Sequence, residues 1–334
     1  PGLDRSRWKV IPVRAETIWH RLLFQQIEMP MRMKREGVGV LHSLAFLAPL
    51  WTPGLKQILS VHDMTFFTRP ELHNQMRRSV WFRWLVARSI GRADHLIVPT
   101  RSVRGDLLRL FTKRDPETLH VVKYGLNPRF RPRTPKAMTV VRQRLGLPQH
   151  YILFVGTLEP RKNLHRLIEA YRRLVQTGFD RHLVLVGQWG WDMDDLRQDL
   201  RGPALAGRIH LTGYLSDEDL VHVYGGAEIF VYPSIEEGFG FPPLEAMAVG
   251  VPVIVSGLSA LGELYHEAAV TVDPVDVSEI VSAIRLLASD RELYKEKRRL
   301  GFRLARRFGR SSTARQILAT YLAAQNQSPS KSSG

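Results

Sequence analysis

Cysteine is absent from the 334-residue sequence, which excludes disulfide bonds and thiolate chemistry and permits a reducing compartment. Long apolar runs are also absent. None approaches the roughly 18 residues that cross a bilayer, and the run at 246–256 is interrupted by Gly250 and Pro252. The opening PGLDRSRWKV lacks the apolar core of a secretory signal peptide. We therefore expect a globular protein that works in the cytoplasm.

Acidic residues are scarce in the front of the chain. Residues 1–133 contain 24 lysines and arginines against 10 aspartates and glutamates, which is +14 of the total formal charge of +16. The remaining residues carry only +2. A basic region of this size is typical of proteins that meet an anionic partner, such as a nucleic acid, an anionic membrane surface or a phosphorylated substrate.

The segment PRFRPRTPKA at 128–137 has the composition of a linker, with three prolines and four basic residues. From it we predict a front domain at 1–134 and a rear domain at 135–310. A helix at 311–325 is expected to pack back on the front domain. The polar tail at 326–334 is expected to be disordered.

Short apolar runs alternate with helical patterns along much of the chain, which predicts parallel sheets covered by helices on both faces. Strands are predicted at 58–63, 95–100 and 118–125 in the front, and at 151–156, 182–187, 208–213, 229–234, 252–256 and 269–273 in the rear. Helices are predicted at 101–111, 163–175, 217–227 and 243–249. Because ligands of such folds bind at the carboxyl ends of strands, the loops that follow the strands are candidate sites.

One such loop, EEGFGFPPLEAMAVGVPVIVS at 236–256, combines two carboxylates with glycines and prolines. Glu237 precedes the predicted helix, and Glu245 falls in its first turn. Gly238 and Gly240 let the backbone approach a ligand closely, and the free N–H groups of a helix start favour a phosphate. Carboxylates accept hydrogen bonds from sugar or ribose hydroxyls. Taken singly, each glutamate is more simply explained as a solvent-facing charge.

Two further loops also follow predicted strands. Arg161 and Lys162, in FVGTLEPRKNLHRL, stand between a strand that ends at Gly156 and a helix that starts near Asn163. Two cations at a helix start can clamp a diphosphate. His62 follows a front strand and would face the cleft from the opposite side. A solvated face for the two cations and a structural role for the histidine are the simpler alternatives.

Together these residues resemble a known family. The Glu-x7-Glu stretch from Glu237 to Glu245 is similar to the signature of the retaining glycosyltransferases of family 4, which have the GT-B fold. GTLEPRKN, LTGYLSDEDL and YPSIEEGFGFPPLEAMAVGVPVI resemble the donor-binding segments of that family, while VHD, PTRSVRGDLLR and VVKYGLN resemble its front-domain elements. The likeness covers about residues 35–325. It implies an α/β protein with two Rossmann-like domains that face a cleft.

The resemblance also implies roles for single residues. Arg161 and Lys162 would neutralise the donor diphosphate. Glu245 would hold the ribose, Glu237 the transferred sugar, and His62 would reach that sugar from the front domain. Further donor contacts are implied at Gly156, Tyr214, Leu215, Gly238, Phe239, Gly240 and Leu244. The family needs no metal ion and no cofactor, only a nucleotide diphosphate sugar as co-substrate, and it retains the anomeric configuration.

The implied activity is transfer of a sugar, with mannose as the first choice, to a glycan or lipid-linked acceptor in bacterial surface polysaccharide assembly. The family usually opens with a strand and a glycine-rich loop, and we expect this sequence to lack that element, which bears on acceptor binding and activity. The alternatives are a sugar-nucleotide epimerase, a phosphorylase or another GT-B enzyme. A glycoside hydrolase with a carboxylate pair is a further one, but Arg161 and Lys162 would then meet no anion.

The segment MRRSVWFRWLVARSIGR at 76–92 places Trp81 and Trp84 at helical spacing beside arginines. Such a helix can lie on an anionic membrane, which fits a lipid-linked acceptor and a peripheral position on the inner face of the cytoplasmic membrane. The alternative is a helix that buries its tryptophans in the front domain. A basic nucleic-acid-binding protein is the rival from another class. Because no recognised binding module accompanies the basic residues, we expect no nucleic-acid partner.

Overall fold

The computed structural model describes residues 13, 17–200, 202 and 205–326. Its strands are β1 Val40–Ser43, β2 Lys56–Ser60, β3 His95–Val98, β4 Leu119–Val121, β5 Tyr151–Val155, β6 His182–Val186, β7 Ile209–Gly213, β8 Ile229–Tyr232, β9 Val253–Ser256 and β10 Val270–Val272.

The helices of the described residues are α1 Ile18–Leu23, α2 Met29–Arg35, α3 Thr65–Thr68, α4 Gln75–Arg78, α5 Val80–Arg92, α6 Arg101–Leu110, α7 Pro135–Arg144, α8 Leu164–Gln176, α9 Asp194–Asp199, α10 Asp217–Gly226, α11 Phe241–Val249, α12 Ser259–Tyr265, α13 Val277–Ser289, α14 Arg291–Ala305 and α15 Arg310–Asn326. Short 3-10 turns lie at Pro70–Leu72, Pro116–Thr118 and Pro160–Lys162, and a π-helical turn lies at Phe24–Glu28.

Both sheets are parallel throughout. The front sheet has the order β1-β2-β3-β4, and the rear sheet has the order β10-β9-β8-β5-β6-β7. Strands β3, β5, β8 and β9 are buried along their whole length, as expected of apolar runs in a sheet with helices on both faces. The predicted fold class of two Rossmann-like α/β domains is confirmed. Each domain is named below by its sheet, front or rear.

The strand order of the rear sheet reverses between β5 and β8. The chain runs outward from β5 through β6 and β7, and then returns to β8 on the other side of β5. A crevice opens at the carboxyl ends of the two strands at such a point. The loops that follow them meet there, since the Ile235 N–H donates to the Arg161 carbonyl at 3.0 Å and the Asn163 amide donates to the Pro233 carbonyl at 3.1 Å.

The front sheet is covered by helices from two distant parts of the chain. Because side chains alternate along a strand, Leu59 of β2 packs in the cluster with Val86 of α5, while Ile58 packs on the other face with Ala324 and Tyr321 of α15. Helix α15 contacts β1, β2 and β3. The last helix of the rear half therefore completes the core of the front domain.

Several predicted bounds are wrong. The strands predicted at 58–63 and 118–125 end at Ser60 and Val121, because the chain turns there into the loops of the cleft. Strand β1 was not predicted, since its four residues, VLHS, include a histidine and a serine. Asn326 belongs to α15 rather than to the tail. The opening ten residues and the rest of the predicted tail lie outside the described residues, and the predicted domain boundaries stay predictions.

Candidate functional site

Two neighbouring cavities open in the cleft between the sheets. One, of about 500 Å³, is lined by His62, Asp63, Tyr124, Arg161, Glu237, Gly238, Phe239 and Phe241. The other, of about 420 Å³, is lined by Asn74, Arg77, Gly156, Thr157, Glu159, Arg161, Lys162, Trp191, Tyr232, Glu237, Gly240, Phe241 and Pro242. Both cavities contain residues of both domains, and both lie at the crevice between β5 and β8. A ligand here would touch the two domains at once.

Glu237 holds a buried ionic cluster together at the floor of this crevice. Its Oε1 atom accepts hydrogen bonds from the Lys162 ammonium at 2.5 Å, the Ser234 hydroxyl at 2.8 Å and the Tyr232 hydroxyl at 3.0 Å. Its Oε2 atom accepts one from Arg161 at 2.6 Å. Arg161 also donates to Glu159 at 2.9 Å. The two predicted cations and the first glutamate of the motif therefore form one unit, in which Oε1 of Glu237 accepts three hydrogen bonds and Oε2 accepts one.

The protonation states of the cluster follow from burial and charge together. Burial by itself raises the pKa of the Glu237 carboxyl group, but Lys162 and Arg161 outweigh it and lower that pKa to about 2. Burial lowers the pKa of the Lys162 amine, although Glu237 opposes this. Burial also works against the charge of Arg161, but Glu237 and Glu159 outweigh it and raise the pKa of the guanidinium group. Glu237 is therefore a carboxylate at neutral pH.

The loop that carries the two cations is held by the residue after them. Arg161 and Lys162 lie in the 3-10 turn, and α8 begins at Leu164, one residue later than predicted. Asn163 adopts a left-handed conformation with φ of 60°, which an asparagine tolerates better than most residues. Its side-chain amide donates to the carbonyls of Pro233 at 3.1 Å and Pro274 at 2.6 Å. The local sequence thus fixes the cations against the loop after β8.

Glu245 lies in the second turn of α11 and not in the first, because that helix begins at Phe241, two residues before the predicted start. The Tyr224 hydroxyl donates to its Oε2 atom at 2.9 Å. Burial raises the pKa of the Glu245 carboxyl group to about 7, with a smaller contribution from Asp217. Glu245 lines neither of the two cavities, and the two glutamates of the motif differ in ionisation.

At Gly238 the backbone of the rear domain lies directly against the front domain. A Cβ atom at this position would lie 1.8 Å from the carbonyl oxygen of His62. The Gly238 carbonyl accepts a hydrogen bond from the Thr100 hydroxyl of the front domain at 3.1 Å. Nearby, Glu263 accepts hydrogen bonds from the backbone N–H groups of Arg101 at 2.9 Å and Ser102 at 2.7 Å, at the start of α6. The motif is therefore also a part of the domain interface.

His62 already has partners at both ring nitrogens. Nε2 lies 2.6 Å from the Leu44 carbonyl, so it carries the proton and donates there. Nδ1 therefore accepts from the Tyr124 hydroxyl, 2.5 Å away. Tyr124 in turn packs on Phe239 and lies parallel to Phe241, with centroids 5.2 and 5.9 Å apart. In this arrangement His62 positions the aromatic wall of the first cavity.

The remaining predicted donor residues are spread more widely. Gly156 and Gly240 line the second cavity. Phe239 lines the first and is buried. Leu244 is fully buried inside the rear domain and Leu215 is nearly so, while Tyr214 is 72% exposed at the end of β7. Tyr214, Leu215 and Leu244 line neither cavity.

Several residues of the site were not predicted. Tyr232 and Ser234 stand at the end of β8, where the rule that places ligands at strand ends could have found them. Arg77 and Trp191 enter the second cavity from α4 and from the loop after β6, and no local pattern marks them. Arg77 is half-buried and forms no ion pair among the described residues. It adds a positive charge next to a cluster whose two cations already face two carboxylates.

The described part of the chain contains neither a metal-binding group nor a membrane-spanning helix. Asp192 and Asp194 have Asp-x-Asp spacing, but no three histidines or carboxylates there are grouped so as to hold a metal ion. Within the same residues no helix combines the length and apolarity needed to cross a bilayer. Trp81 and Trp84 are 48% and 49% exposed on α5, so the alternative that this helix buries its tryptophans is wrong.

Comparison with known proteins identifies the family. Residues 4–130 match the model of Glycosyltransferase Family 4, and residues 140–301 match that of Glycosyl transferases group 1. The chain is 33% identical to O-antigen chain mannosyltransferase B of Escherichia coli over 268 residues, which are 80% of this chain and 70% of that protein.

Two solved structures show the same fold. Sucrose-phosphate synthase from Thermosynechococcus elongatus aligns with a TM-score of 0.76 and 21% identity, over 96% of this chain and 82% of that one. Anabaena HepE in complex with UDP-glucose aligns with a TM-score of 0.70 and 20% identity, over 80% and 72%. The chain thus belongs to glycosyltransferase family 4, and it is a glycosyltransferase with the GT-B fold.

Proposed function

We propose that the enzyme transfers mannose, with retention of configuration and without a metal ion, from a nucleotide diphosphate sugar to a glycan or lipid-linked acceptor of a bacterial surface polysaccharide. The buried cluster of Arg161, Lys162 and Glu237 carries this proposal. Two cations fixed at the crevice can meet a diphosphate, which is the work that a metal ion does in other transferases. The name of the Escherichia coli relative supports mannose and O-antigen assembly.

The proposed chemistry concentrates charge on the leaving group. As the bond between the sugar and the diphosphate breaks toward an oxocarbenium-like state, negative charge grows on the diphosphate. Arg161 and Lys162 stabilise that charge in a water-poor site, where preorganised electrostatics is most effective. The acceptor oxygen attacks from the same face, and its proton passes to the leaving phosphate. Glu237 acts as the counter-ion of the cations and as a ligand of the sugar, while Glu245 holds the ribose.

Calorimetric titration with GDP, UDP, ADP and their sugar derivatives tests the proposal. We expect micromolar binding of one nucleotide, strongest for GDP, and loss of that binding in the double variant Arg161→Ala/Lys162→Ala. Arg173→Ala is the control, because Arg173 on α8 is exposed and pairs only with Glu169 in the described structure. Folded protein that binds no nucleotide, or equal affinity in both variants, would contradict the donor site.

Product analysis tests the finer points. The anomeric proton coupling of the product by NMR distinguishes retention from inversion, and turnover in excess EDTA tests independence from metal ions. An inverted product, or activity that EDTA abolishes and a divalent ion restores, would overturn that part of the proposal.

An anionic membrane surface, on the cytoplasmic face, is the second proposed partner, favoured by the exposure of Trp81 and Trp84. Arg88 lies over the Trp84 ring at 5.4 Å, so the patch combines aromatic and basic groups as interfacial helices do. Flotation with anionic vesicles should weaken in Trp81→Ser/Trp84→Ser without a change in melting temperature. Equal flotation of the variant and the parent would exclude this surface. We expect that a single-stranded oligonucleotide does not displace the protein from the anionic vesicles.

A further inference from the structure

A further cavity lies outside the cleft, in a groove between the chain segment 126–132 and helix α14. It measures about 930 Å³ and is lined by Leu126, Phe130, Arg131, Pro132, Ala248, Lys295, Arg298, Arg299, Phe302, Arg303, Ala305 and Arg306. It shares no residue with the two cavities of the cleft. We name it the α14 groove.

The rim of the α14 groove is basic. Half of its twelve lining residues are lysine or arginine, and none is acidic. Five of these cations belong to α14 or the residue after it, at 295, 298, 299, 303 and 306, a spacing that puts them on one helix face. Among the described residues Lys295 alone of the six forms an ion pair, with Glu292 at 2.7 Å. The groove therefore presents concentrated positive charge that the protein does not neutralise.

The floor of the α14 groove is apolar. It consists of Leu126, Phe130, Ala248, Phe302 and Ala305. Phe302 reaches the end of α11 because residue 250 is a glycine with φ of 93°, where a Cβ atom would lie 2.4 Å from the Phe302 ring. The guanidinium of Arg298 lies 5.8 Å from the centre of that ring. An apolar floor under a cationic rim is suited to an amphipathic anion rather than to a bare phosphate.

We propose that the α14 groove binds an anionic phospholipid, with the headgroup phosphate on the arginines of α14 and the first acyl carbons on the apolar floor. The basis is charge complementarity, since each lysine or arginine near an anionic bilayer adds to the attraction, and the floor adds burial of hydrocarbon. This contact belongs to the rear domain and does not depend on the reaction in the cleft. It is separate from the patch around Trp81 and Trp84.

Vesicle flotation tests the groove. The protein is mixed with vesicles of equal parts phosphatidylcholine and phosphatidylglycerol, or with phosphatidylcholine alone. We expect binding only to the anionic vesicles and a loss of at least about thirtyfold in Arg299→Glu/Arg303→Glu, because this variant removes two groove cations and adds two charges that the bilayer repels. Arg291→Glu/Lys297→Glu changes the net charge equally on the same helix outside the groove, and should stay within about threefold of the parent because of screening. Melting temperatures verify that all variants are folded.

Two further arms distinguish the groove from the tryptophan patch and from general attraction to anions. The same pair of charge reversals is made in the Trp81→Ser/Trp84→Ser background, where the effect of the groove should persist. A single-stranded oligonucleotide and inorganic phosphate serve as soluble anions, and neither should displace the vesicles at equal phosphate concentration. Equal loss in the two charge variants, no binding to the anionic vesicles, or displacement by the oligonucleotide would overturn the proposal.

Discussion

The rear domain presents its buried ionic cluster already paired, whereas the front domain brings to the same cavity a half-buried arginine that forms no ion pair among the described residues. Glu237 has four hydrogen-bond donors from its own domain, while Arg77 of the front domain enters the same cavity without an ion pair among the described residues. The rear half of the site is thus rigid before a ligand arrives. The front half lies against it, through contacts such as that between Thr100 and Gly238.

The largest expected effect comes from breaking the rear cluster. Glu237→Ala leaves Lys162 buried without its carboxylate and Arg161 with Glu159 alone, which should lower the free energy of unfolding by about 3–5 kcal/mol. Glu169→Ala removes an exposed partner of arginines on α8 and should cost less than about 1 kcal/mol. Urea denaturation of both variants measures the difference. Similar losses would mean that the cluster is no more important to the fold than a surface ion pair.

The contact between the domains is tested at Gly238. In Gly238→Ala the new methyl group collides with the His62 carbonyl, so we expect the domains to be held apart and sugar transfer to fall about a hundredfold. Nucleotide affinity should change little, because the cluster belongs to the rear domain. Gly105→Ala in α6 is the control, since its Cβ would meet no atom within 4 Å. An unchanged rate of sugar transfer in Gly238→Ala would show that this close contact between the domains is not needed for the reaction.

The pH dependence of donor binding distinguishes the two glutamates of the motif. The Glu245 carboxyl group has a pKa of about 7, so it gains charge as the pH rises through neutrality, whereas Glu237 is already ionised. A carboxylate accepts ribose hydrogen bonds better than an acid does, and the affinity for GDP-mannose should rise up to about tenfold from about pH 6 to about pH 8. Glu245→Gln should remove this dependence, which titration at several pH values measures. If the affinity of Glu245→Gln for GDP-mannose still rises with pH, the pH dependence does not come from Glu245.

Lowering the pH should reduce the folding stability of the front domain more than that of the rear domain. Burial lowers the pKa of His73 to about 4 and also lowers those of His42 and His120. An unfolded chain binds these protons near pH 6.5, so folding stability falls as the pH drops from there toward about 4. The rear domain has His182 and His210 shifted the same way, but the raised pKa of Glu245 opposes the loss.

Hydrogen exchange at pH 5 and pH 7 measures that order of opening. Amides of β2 and β3 should lose more protection on acidification than amides of β5 and β8. His73→Gln, which cannot take up a proton, should reduce the loss in the front sheet. If the amides of the rear sheet lose protection first, the expected order, with the front domain less stable in acid than the rear domain, is wrong.

The sequence by itself determined the rear sheet and the chemistry of its loops. Short apolar runs predicted β5 to β10, and the central strands β5, β8 and β9 are buried throughout, because parallel strands covered on both faces need continuous burial. The positions of Arg161, Lys162 and Glu237 after strands marked them as candidate site residues, since ligands of such sheets bind at the carboxyl ends of the strands. The family resemblance came from the same residues.

Only the tertiary structure decided which groups complete the site. Arg77 and Trp191 are brought to the cluster by packing between segments far apart in sequence. The partners of His62, the exposure of Trp81 and the α14 groove depend in the same way on which faces the neighbouring segments cover. Local sequence patterns show which residues of a helix or strand are buried and with what spacing, but they do not show which distant segment packs on the buried face. The nearly neutral charge of the rear half concealed the row of basic residues on α14, and only the tertiary structure shows that this row lines a groove.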